Sequence, residues 1–115
     1  MAERAFLADV GGVAVPTGHL IGGAWVASSS TFESRSPLDW HRMHLADVAR
    51  GDTATADAAV AAAVEGFVAW SRFTVAERAA VMHVLADLIE EHTEEIAHVE
   101  CLDMGFLEAS MKLRL

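Results

Sequence analysis

The sequence predicts a mainly α-helical chain with a small β component near its N-terminal end, and three observations carry that prediction. Apolar residues recur at helical spacing from Thr74 to Gly105. A stretch unusually rich in alanine precedes it, from Thr53 to Trp70. Short β-prone runs punctuated by glycine and serine occupy His19 to Arg35.

Residues 1–18 hold Gly11-Gly12, Pro16 and Gly18 with little periodicity, so they are expected to form a loosely held arm ahead of one incomplete unit, 19–115. His19-Leu20-Ile21 and Ala24-Trp25-Val26 flank Gly22-Gly23, and paired glycines accept the positive φ angles of a two-residue hairpin turn. Thr31 to Arg35 alternates in polarity until Pro37, which lacks a ladder donor and suits an edge. His44 to Ala49 reads as another extended stretch, closed by Arg50-Gly51-Asp52, where Asp52 can cap a helix.

From Thr53 the alanines favour a helix that can approach a neighbour closely, with Val60, Val64, Phe67 and Trp70 along one side and Gly66 as a weak point. Ser71 to Phe73 is the turn into the next helix. Thr74 and Glu77 have the spacing of a capping box. Val81, Leu85, Leu88, Ile96 and Val99 then share one face. An unbroken helix over this run would be roughly 45 Å long, so a break near Glu91–Thr93 is expected, with Thr93 capping the second piece and Gly105 ending it. Leu107, Met111 and Leu115 lie four apart and could begin another helix. With no cap after them, the ending suggests the front portion of something larger.

Length and charge narrow the functions available. A chain of 115 residues is one domain at most, and its 53% hydrophobic content overstates the core because so much of it is alanine. Eight basic residues stand against 17 acids, a formal charge of −9, with no basic cluster to neutralise phosphates. Neither nucleic acid nor an anionic membrane is an expected partner. The longest apolar stretches fall far short of the ~20 residues of a membrane span. No secretory leader is recognisable in the first residues, where Asp9 interrupts the apolar tint, and a single cysteine excludes an internal disulfide framework. A cytoplasmic location is the expectation.

Candidate chemistry is sparse. His41 and His44 are three apart in what reads as an extended stretch, where they would face opposite sides, and no second pair follows at zinc-binding distance. His98 and Cys101 could share a helix face with Glu94, but an ordinary helix surface is the stronger reading. Cys101 lies near a helix C-terminus between Glu100 and Asp103, surroundings that oppose a thiolate, so a buried structural cysteine is expected. Gly11-Gly12 and Gly22-Gly23 lack the spacing of a phosphate-cradling loop. Glu90-Glu91 and Glu94-Glu95 read as solvated helix carboxylates.

Leu20-Ile21-Gly22-Gly23-Ala24-Trp25-Val26, Phe32 through Ser36-Pro37, Ala49-Arg50-Gly51-Asp52 leading into Ala58 to Ala63, then Phe67 and Ala69-Trp70-Ser71, taken in succession, resemble the opening portion of an NAD(P)-dependent aldehyde dehydrogenase. Ala76-Glu77-Arg78, Leu85 to Glu91 and Glu100-Cys101-Leu102-Asp103-Met104-Gly105 follow in the same order. The resemblance covers Leu20 to Gly105. It departs at Phe106, where the family usually has lysine, and at Leu38-Asp39-Trp40, which replaces the common turn.

The resemblance implies an α/β parent fold with a Rossmann-like coenzyme domain, to whose sheet these helices belong. It implies an oligomeric parent that uses NAD or NADP to oxidise an aldehyde through a cysteine thioester. The family's nucleophile, general base, oxyanion-holding asparagine and coenzyme turn all lie downstream, and Cys101 matches a helix position. No catalytic, cofactor-binding or metal-binding residue is therefore assigned. Positions similar to Ser34, Arg35 and Asp103 contribute to a monovalent-cation site in some members, which is left unclaimed. The first functional expectation is an inactive N-terminal part that binds no coenzyme alone and pairs with the remainder of its parent subunit or with itself. The alternative is a self-standing helical interaction module.

Overall fold

The structure is a computed structural model that describes residues 6–106. Three antiparallel hairpins come first: β1 (Leu7–Val10) with β2 (Val13–Pro16), β3 (His19–Ile21) with β4 (Ala24–Val26), and β5 (Thr31–Arg35) with β6 (His44–Ala49). Helices α1 (Thr53–Trp70), α2 (Val75–Glu91) and α3 (Thr93–Met104) follow.

Local chemistry sets most of these boundaries. Gly22 and Gly23 sit at φ +59° and +80° in a two-residue turn between paired Ile21 and Ala24. Asp52 caps α1 through its carboxylate, which accepts from the Thr55 amide at 2.8 Å. The box at α2 is complete: the Thr74 amide donates to Glu77 at 2.7 Å and the Glu77 amide donates to the Thr74 hydroxyl at 3.2 Å. The helix breaks between Glu91 and Thr93, as its length required, and Gly105 closes α3 at φ +72°.

Four differences from the sequence reading are instructive. Residues 7–16, read as part of a loose arm, form the β1–β2 hairpin, with Gly11 and Gly12 at φ +62° and +89° in its turn and the Asp9 carboxylate accepting from the Gly12 amide. Thr93 does not cap α3: the N-cap is His92, and the Thr93 hydroxyl bonds back to the Ile89 carbonyl at 2.9 Å. His41 lies in the turn between β5 and β6, so it does not share a strand with His44. The alanines of α1 approach a neighbour only on one side, where Ala62 lies against Gly22 of the β3–β4 turn, and α1 fully buries none of its residues. The helix expected beyond Phe106 lies outside the described residues.

The small core lies where the β1–β2 hairpin, β6 and α3 meet. Val10, Ala46, Ala97 and Cys101 are its buried apolar members, and Ser36 is fully buried beside them. The Ser36 hydroxyl donates to the Leu102 carbonyl near the end of α3, and its oxygen accepts from the Leu38 amide at 3.3 Å. His98 reaches back from α3 to the Gly11 carbonyl at 3.1 Å. Strands and α3 are thereby tied, while α1 and α2 extend from them.

Candidate functional site: the uncovered apolar sides of α1 and α2

Hydrophobic side chains normally leave water, each fully buried one contributing about 1.5–3 kcal/mol. On α1 and α2 they do not. Neither helix buries a single residue, and Val60, Val64 and Phe67 are 64%, 62% and 65% exposed. Leu85 and Leu88 on α2 are 48% and 47% exposed, with Val81, Met82 and Ile89 exposed around them. The turn between the helices is ordered by local contacts, with Trp70 and Phe73 rings 5.7 Å apart and Arg78 donating to the Phe73 carbonyl. Two ordered helices joined by a short turn thus present apolar side chains to solvent along their length, far beyond the scattered exposure of an ordinary surface.

Whole-molecule dimensions agree. The radius of gyration is 16.8 Å, whereas a compact chain of this length has about 13 Å.

Groups that could carry chemistry are dispersed. Cys101 is buried, as expected of a structural cysteine, and His98 is engaged with Gly11. His44 pairs with Asp47 at 3.0 Å and His92 with Glu95 at 2.9 Å, both on the surface. Glu90, Glu91, Glu94 and Glu95 all belong to the exposed or half-exposed helix surface. Among the described residues no three His, Cys, Asp or Glu side chains converge as metal ligands would. Ser34 and Asp103 do meet, hydroxyl to carboxylate at 3.3 Å, while Arg35 turns to Glu33 at 2.6 Å. Hard cations take about six oxygen donors, so that pair makes no cation centre by itself.

Electrostatics are perturbed at the caps. The Thr55 amide and hydroxyl hold the Asp52 carboxyl below its ordinary 3.8, and the Thr74 amide and hydroxyl hold Glu77 below 4.5. Both are helix-stabilising arrangements. No described helix is long and apolar enough to cross a membrane.

Comparison with known proteins gives this surface a context. The model of the aldehyde dehydrogenase family matches residues 25–113. The chain is 40% identical over 87 residues to 5-carboxymethyl-2-hydroxymuconate semialdehyde dehydrogenase of Escherichia coli, covering 76% of this chain and 18% of that one. It is 35% identical over 94 residues to hydroxyisobutyraldehyde dehydrogenase of Mycolicibacterium austroafricanum, covering 80% and 18%. The solved structure of a variant of the P. syringae indole-3-acetaldehyde dehydrogenase AldA, in complex with NAD+ and IAA, superposes with a TM-score of 0.81 at 36% identity, covering 87% of this chain and 21% of that one. The chain thus spans about a fifth of the length of the proteins it matches.

Proposed function

Since the chain belongs to the aldehyde dehydrogenase family and corresponds to an N-terminal portion of it, we propose that it supplies two covering helices to an NAD(P)-dependent subunit that oxidises an aldehyde to a carboxylic acid. The observation that carries this reading is the bare apolar face of α1 and α2. Helices of an α/β domain hide such faces against a parallel sheet. The strands described here form three separate two-stranded antiparallel sheets, of which β3–β4 meets α1 at Ala62, away from the Val60, Val64 and Phe67 side. The occupant of the face is the sheet of the coenzyme domain, in the remainder of the subunit.

On this reading NAD or NADP belongs to the whole subunit and does not bind these residues alone. The described side chains offer no nucleophile poised beside a base, and Gly51 ahead of the α1 N-cap is a lone glycine, not a G-x-G-x-x-G turn. Coenzyme reduction followed by absorbance, with NAD or NADP and a panel of aliphatic and aromatic aldehydes, is expected to show no turnover by the 115-residue chain. A rate above the protein-free blank that scales with chain concentration would refute that expectation.

A further inference from the structure

We draw no further inference here: the strongest candidate, the apolar groove between β2 and α3 that Val13, Val15, Ile96 and Val99 line outside the site already described, carries none because nothing in the structure shows what covers it.

Discussion

Ser36 is the residue on which the small core turns. It is fully buried, and its hydroxyl bonds both the α3 carbonyl of Leu102 and the Leu38 amide, so a polar side chain closes an apolar junction. Ser36→Ala should cost about 1–2 kcal/mol, because the part-buried Leu102 carbonyl loses its donor. Urea unfolding would show a lower midpoint with an unchanged slope, and an unchanged midpoint would refute the assignment. Gly11 is equally specific: it sits at φ +62°, and an added Cβ would lie 2.6 Å from His98 Nε2. Gly11→Ala should therefore destabilise by about 1–2 kcal/mol, read in the same unfolding experiment. Neither role shows in the sequence. A serine before a proline reads as a turn residue, and its burial depends on α3, which returns 66 positions later.

Elements were more legible than contacts. The boundaries that rest on neighbouring residues, Asp52 at α1, Thr74 with Glu77 at α2, and Gly105 after α3, stand where the sequence puts them. Gly11-Gly12 has the same signature as Gly22-Gly23, but Asp9 and Pro16 obscured the flanking strands; the paired glycines were the signal that could have revealed that hairpin. Thr93 misled because a hydroxyl just after a helix can bond backwards as well as forwards. The caps also predict an acid response. The folded values of Asp52 and Glu77 lie below the unfolded ones, so their stabilisation is complete above the unfolded values and is lost as pH falls through the folded ones. Helical circular dichroism should decline below pH 4.5, and part of that decline should vanish in Asp52→Asn and Glu77→Gln. An identical acid limb in wild type and both variants would contradict the cap assignment.

At the scale of the molecule, two halves of unlike character share one chain. Hairpins and α3 close around Val10, Ala46, Ala97 and Cys101, whereas α1 and α2 extend with their apolar side chains bare. The apolar stripes were readable from periodicity, but what covers them was not, since no residue within a stripe encodes its partner. Under the proposed function that partner is the sheet of the parent subunit's coenzyme domain. Amide hydrogen exchange reads that covering, comparing residues 60–67 and 81–89 in the dilute isolated chain with the same segments joined to the remainder of a family subunit. Exchange in both segments is expected to slow by at least about two orders of magnitude in the joined protein. Equal exchange in the two forms, or strong protection already present in the dilute isolated chain, would contradict that covering.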